Sequence, residues 1–145
     1  MIDKSKEIIA SVRLINDRLN FIGEVGENTP VSIDYIPPLG DNQGYTSLEL
    51  FLLSLTSCLG SSVLTFLRRM EKSVTGCEIH ALGLRKATHP TGFEKINITI
   101  NIKSNNVTDS DMLKVVKLSE DTYCPVLSML KEDIVVDINF DIDNS

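Results

Sequence analysis

Clustered basic residues are absent from this sequence. Fourteen Lys and Arg stand against twenty Asp and Glu, for a formal net charge of -6. Binding to phosphate backbones needs Lys and Arg gathered on one face, so no nucleic-acid partner is expected. The acidic balance suits a soluble protein that avoids anionic surfaces. Long apolar runs are also missing. The most apolar stretch, Leu48 to Leu59, is shorter than the about 20 residues that cross a bilayer, and serine and threonine interrupt it. No membrane partner is expected either. Met1 to Leu14 has no apolar h-region and no small-residue cleavage site, so no signal peptide is read and a cytoplasmic location is the expectation. His80 and His89 are isolated and no CxxC or HxxxH spacing occurs, which argues against a structural zinc site. No repeat, low-complexity tract or Pro/Gly/Ser linker divides the 145 residues, so residues 1–145 read as one domain.

What is present is a chain with 42% hydrophobic residues, enough for one ordinary core. Short β-prone runs, Glu7 to Leu14, Leu19 to Val25 and Pro30 to Tyr35, are separated by the turns Asn16-Asp17 and Gly26-Glu27-Asn28. Pro37 to Gly44 is a loop of breakers. A long helix is expected from Ser47 to Met70, opened by the capping-box pattern Thr46-Ser47-Leu48-Glu49. Its first half is apolar all round, which predicts burial on every side. Glu78 to Lys86 and Glu94 to Lys103 read as strands. The second alternates Ile96, Ile98, Ile100 and Ile102 with Asn97, Thr99, Asn101 and Lys103, so it has one buried and one wet face. A helix from Asp109 to Asp121 carries Met112, Val115, Val116 and Ser119 on its inward stripe. A short helix starts at Pro125. A last strand turns Ile134, Val136, Ile138, Phe140 and Ile142 to one side. The order βββ-α-ββ-α-α-β is an α+β domain. One sheet covers only one side of the long helix, and Ser57, Gly60, Ser61 and Ser62 would let another helix approach closely. Either a second copy covers the remaining side, giving a homodimer, or the two later helices do.

Cys58, Cys77 and Cys124 carry the candidate chemistry. An odd count with no signal peptide argues against a secreted disulfide framework. Cys124 precedes Pro125, which favours the first helical position. Cys124 is therefore either an N-cap thiolate stabilised by the helix start or a buried cysteine in a turn. Cys58 lies mid-helix with Ser54, Ser61 and Ser62 at helical spacing, beyond the reach of the helix ends. It is either a core cysteine or a nucleophile that needs a cation from another element. Cys77, after Gly76 at a strand start, reads as structural.

Gly44 to Cys58, GYTSLELFLLSLTSC, resembles the G-x-(S/N)-P-x-E-L-(L/F)…(A/G/S)-C segment of the OsmC/Ohr family of osmotically induced and organic hydroperoxide resistance proteins. Tyr123-Cys124-Pro125-Val126 resembles that family's second motif, and the separation of the two cysteines fits. The similarity runs from about Phe21 onward. It is strongest to the YhfA-like branch, through Phe21-Ile22-Gly23 and the Arg85 to Pro90 segment. The resemblance implies a single OsmC-like domain in an intertwined homodimer with its sites at the subunit interface. It implies that Cys58 attacks an organic hydroperoxide and becomes a sulfenic acid, and that Cys124 condenses with it to a disulfide. A dithiol such as a lipoylated protein then reduces the disulfide, with no metal or flavin cofactor. A resolving cysteine protects the sulfenic acid from further oxidation.

The sequence departs from the family pattern in two places. Leu48 occupies the position of the Ohr site glutamate, and Glu49 comes one residue later. Glu49 stands nine residues before Cys58, about half a turn away around the helix. It serves either the helix cap or a contact through the dimer partner. The arginine that activates the cysteine comes from an early loop in Ohr, and Arg18 is nearest by position, without a Gly-Gly-Arg motif. Arg85 is the branch-typical arginine and shares strand parity with Cys77, Ile79 and Ala81. It points inward to a thiolate or to Glu49, or it is a surface cation. The alternative to a peroxidase is a redox-sensing or small-ligand-binding protein on the same fold.

Overall fold

The computed structural model describes residues 3–145. The expected order of elements is present: β1 (Ser11–Leu14), β2 (Phe21–Glu24), β3 (Val31–Ile33), α1 (Ser47–Arg69), β4 (Gly76–Arg85), β5 (Phe93–Lys103), α2 (Asp109–Leu118), α3 (Pro125–Ser128) and β6 (Val135–Asp143). Between α2 and α3, Ser119–Tyr123 forms one turn of π-helix, where a continuous α-helix to Asp121 was expected. The chain divides into two compact units, Met1–Phe51 and Leu52–Ser145, and the division falls inside α1.

In the first unit, β1, β2 and β3 form an antiparallel meander. The strands are shorter than their β-prone runs. Beyond them the chain enters a loop organised by the Asp34 carboxylate, which accepts the backbone N–H groups of Tyr35 (2.7 Å), Gln43 (3.1 Å) and Asp41 (3.3 Å). Burial opposes that charge, but the three N–H donors prevail and hold the carboxyl below its ordinary range. Gly40 and Gly44 let the loop close, since a Cβ would stand 2.2 Å from the Tyr35 carbonyl and 2.3 Å from that of Ser32. Arg18 pairs with Asp41 and donates to the Pro38 carbonyl. Among the described residues of this unit no large apolar side chain is buried. Ile8, Ile9, Val12, Ile36 and Leu39 are all more than half exposed.

The second unit holds the core. β4 pairs antiparallel with β5, and β6 returns parallel on the other side of β5. A parallel return needs a crossover, and α2, the π-turn and α3 supply it. The inward face of β5 is Ile96, Ile98, Ile100 and Ile102, each at most 1% exposed, as the alternation predicts. Leu55, Leu59, Val63 and Leu67 of α1 and Met112 and Val115 of α2 are fully buried in the same unit. The spacing of four in α1 marks one stripe of a helix. Gly60 sits so close over β4 that a Cβ would lie 2.8 Å from Ile79 Cδ1.

A single chain does not enclose α1 as expected. Leu53, Ser54, Ser57, Ser61, Thr65 and Arg68 are exposed along its opposite side. With Cys77 and Ile79 they line an open groove of about 770 Å³. At 23 residues, α1 is long and apolar enough to cross a membrane by length and composition, because the helix continues well past Leu59.

Candidate active site: a dithiol pair on the central helix

Residues 58, 62 and 66 of α1 are spaced by four and form one ridge along the helix. That ridge faces the π-turn. Cys124, at the end of the π-turn and the start of α3, brings its sulfur to 3.1 Å from that of Cys58. Both cysteines are free thiols. The gap exceeds the ~2.05 Å of a disulfide by about one ångström, so a bond between them needs only a small movement.

The two sulfurs are not equivalent. Cys124 is 2% exposed and Cys58 is half-buried. Burial, together with the hydrogen bond to Cys58, pushes the Cys124 thiol up to about 11, against the pull of the Leu127 and Val126 backbone N–H groups. The expected N-cap position is found, but a stabilised thiolate is not. The helix that begins there is only four residues long, and desolvation of a buried thiolate outweighs what its first N–H groups return. Cys124 is therefore a protonated thiol at neutral pH, and its S–H donates to the Cys58 sulfur.

The other nominated residues are engaged elsewhere. Glu49 accepts the Thr46 N–H at 2.8 Å while Thr46 Oγ1 accepts the Glu49 N–H at 3.2 Å. This is a reciprocal capping box, and its hydrogen bonds to Thr46 hold the carboxyl below its ordinary range. Arg85 does not point inward. A register shift between Leu84 and Arg85 breaks the alternation that parity relied on. The exposed guanidinium instead donates to the Thr91 carbonyl at 2.7 Å and to its hydroxyl, closing the β4–β5 connection. Cys77 is half-buried in the groove on the far side of α1, its thiol pushed up by burial although Arg68 pulls it down. Among the described residues, no group of three or more His, Cys, Asp or Glu is placed to hold a metal ion.

Two contacts beside the dithiol carry no expectation from the sequence. Ser62 Oγ and Ser119 Oγ lie 2.7 Å apart, and the Phe66 and Tyr123 rings meet edge to face with centroids 4.7 Å apart. The available signal was Ser119 itself, a hydroxyl in the otherwise apolar stripe of Met112, Val115 and Val116.

The order of elements agrees with known proteins. The model of the family described as OsmC-like protein matches residues 40–139. This chain belongs to the OsmC-like family. Among its relatives is Protein YhfA of Escherichia coli K12, 23% identical over 124 residues, which span 86% of this chain and 90% of that protein. A hypothetical protein from Aquifex aeolicus VF5 superposes with a TM-score of 0.83 at 25% identity, covering 94% of this chain and 96% of that one. An organic hydroperoxide resistance protein OsmC from Legionella pneumophila superposes with a TM-score of 0.69 at 15% identity, covering 92% and 96%. The α+β OsmC-like fold expected from the order of elements and the family resemblance is thus the fold of this chain.

Proposed function

We propose that this OsmC-like chain is a thiol-dependent peroxidase that reduces organic hydroperoxides through Cys58 and Cys124. The observation that carries the reading is the 3.1 Å approach of the two free sulfurs, one half-buried and one enclosed. In the first step the Cys58 thiolate attacks the outer peroxide oxygen. The O–O bond breaks, Cys58 becomes a sulfenic acid, and the alkoxide leaves as the alcohol after taking a proton. In the second step the Cys124 sulfur attacks the sulfenic sulfur, and its proton leaves with the hydroxyl as water. A dithiol reductant, such as a lipoylated protein, then exchanges with the Cys58–Cys124 disulfide. The unequal exposure of the cysteines supports this assignment, because the attacker must meet substrate and the resolver needs only to meet the attacker.

The reading includes a homodimer in the cytoplasm. Support for the homodimer is uncovered apolar surface: α1 leaves one side open, and among the described residues of the first unit no large apolar side chain is buried. A three-stranded meander needs an apolar face packed on something to be stable, and a second copy supplies identical uncovered surface. A partner subunit is also where this reading places the cation that Cys58 requires, from Arg18, Arg85 or another arginine.

The test is a thiol titration of reduced protein mixed with cumene hydroperoxide. The expected result is loss of two thiols per chain, with a Cys58–Cys124 crosslink in the peptide map. If Cys58→Ser consumes hydroperoxide at the native rate, the mechanism is wrong.

A further inference from the structure

We infer that Ser62 and Ser119 are positioning residues for disulfide formation, holding the π-turn so that Cys124 is presented to Cys58. The peroxidase reading gives this role its biological use, but the geometry concerns the dithiol pair itself. Three residues of α1 spaced by four, Cys58, Ser62 and Phe66, meet three residues of one short segment, Cys124, Ser119 and Tyr123. The contacts form a ladder with one rung per helical turn. The middle rung is polar and is the only hydrogen bond between oxygen atoms among the three.

Ser119 is fully buried and works in two directions. Its hydroxyl donates to the Val115 carbonyl at 2.8 Å. A serine has a single hydroxyl proton, so Ser62 must be the donor in the 2.7 Å contact between the two hydroxyls. The Ser119 carbonyl in turn accepts the Cys124 N–H at 3.0 Å. That is a five-residue return, the bond that defines a π-turn. The residue tied to α1 through its side chain therefore holds Cys124 through its backbone. The extra residue in the turn also rotates the next residues by about 100° relative to an α-helical continuation. Without the π-turn, the Cys124 side chain would leave in another direction. A small displacement of a reacting group costs rate steeply, so the tie from Ser62 through Ser119 to Cys124 governs how fast the two sulfurs join.

The test separates this role from hydroperoxide chemistry by using 2,2′-dipyridyl disulfide, in a Cys77→Ser background that removes the third thiol. Cys58 attacks the reagent, forming a mixed disulfide and releasing one thiopyridone. Cys124 then attacks the Cys58 sulfur, the mixed disulfide breaks, and a second thiopyridone leaves with the Cys124 proton. Each release is followed by absorbance. In Ser62→Ala the first release should keep its native rate, and the second should slow by about fivefold, the factor that one net hydrogen bond commands. Ser119→Ala should slow it at least as much, and Ser62→Thr, which retains the hydroxyl, should restore it. Circular dichroism checks that each variant is folded. Ser62 is only half-buried, so Ser62→Ala leaves no enclosed polar group behind except Ser119, which keeps its bond to Val115. A second release at the native rate in folded Ser62→Ala and Ser119→Ala would overturn the inference. Slowed release combined with no hydroperoxide consumption would leave it standing and remove the peroxidase reading instead.

Discussion

At Cys124 two influences oppose each other, and their sizes decide the chemistry. The start of α3 offers N–H groups that favour a thiolate. Near-complete enclosure and the bond to Cys58 favour the thiol, and they move it from an ordinary 9.0 up to about 11. The folded chain thus holds this proton to higher pH than the unfolded chain does. The stability linked to it is complete below about pH 9 and is lost as pH rises through about 11. At pH 8 the shift leaves Cys124 a thiolate fraction about a hundredfold smaller than an unperturbed thiol would have. Alkylation by iodoacetamide at pH 8, read by peptide mass, should label Cys124 at least tenfold more slowly in the folded chain than in urea. Equal rates would contradict the enclosed thiol described here. At the same scale, the resemblance of the Cys124-Pro125 dipeptide and of the segment ending at Cys58 to the OsmC/Ohr motifs pointed to the two cysteines that the fold brings together. It did not identify their protonation states, because desolvation depends on what the rest of the chain places around a sulfur.

The elements were legible where pattern dominates and less so where a single bond decides. The Ile96 to Ile102 alternation, the Thr46–Glu49 cap and the stripe of Met112, Val115, Val116 and Ser119 all appear as read. The π-turn does not follow from the pattern, since one added residue changes no periodicity that a short segment can display. Arg85 departs from its strand parity for a related reason, a register shift that alternation does not record. The end of α1 offers a prediction at this scale. Glu71 takes a left-handed conformation with φ 59°. The Lys72 N–H returns to the Leu67 carbonyl at 2.9 Å and the Glu71 N–H to that of Arg68 at 3.0 Å, the paired bonds of a Schellman end. Glycine pays no steric penalty there. Glu71→Gly, at an exposed position, should raise unfolding stability in urea by about 1 kcal/mol. An unchanged or lowered midpoint would show that the side chain contributes something beyond its backbone angle.

For the whole molecule, the outer side of α1 is the surface that needs a cover. A sequence with a central helix apolar all round implied a cover, and one chain provides it on the core stripe and along the Cys58, Ser62 and Phe66 ridge. The side lined by Leu53, Ser57 and Ser61 stays open. Sedimentation equilibrium at micromolar concentration should therefore return twice the chain mass. Ser61→Arg, which sets a charge in the middle of that side, should shift the protein toward the monomer. A native chain that sediments as a monomer would refute the homodimer.

The sequence by itself determined the order of elements and the α+β class, and short motifs carried the resemblance to the OsmC/Ohr family that implied the Cys58–Cys124 pair. Each of these rests on local periodicity or on short motifs, which neighbouring residues settle. Only the tertiary structure decided that the two sulfurs stand 3.1 Å apart, that Cys124 keeps its proton, that Glu49 closes a helix cap, and that Arg85 clamps a turn. Those outcomes depend on burial and on hydrogen bonds between segments distant in the chain, such as Ser62 and Ser119, and no local pattern records which distant segment will arrive.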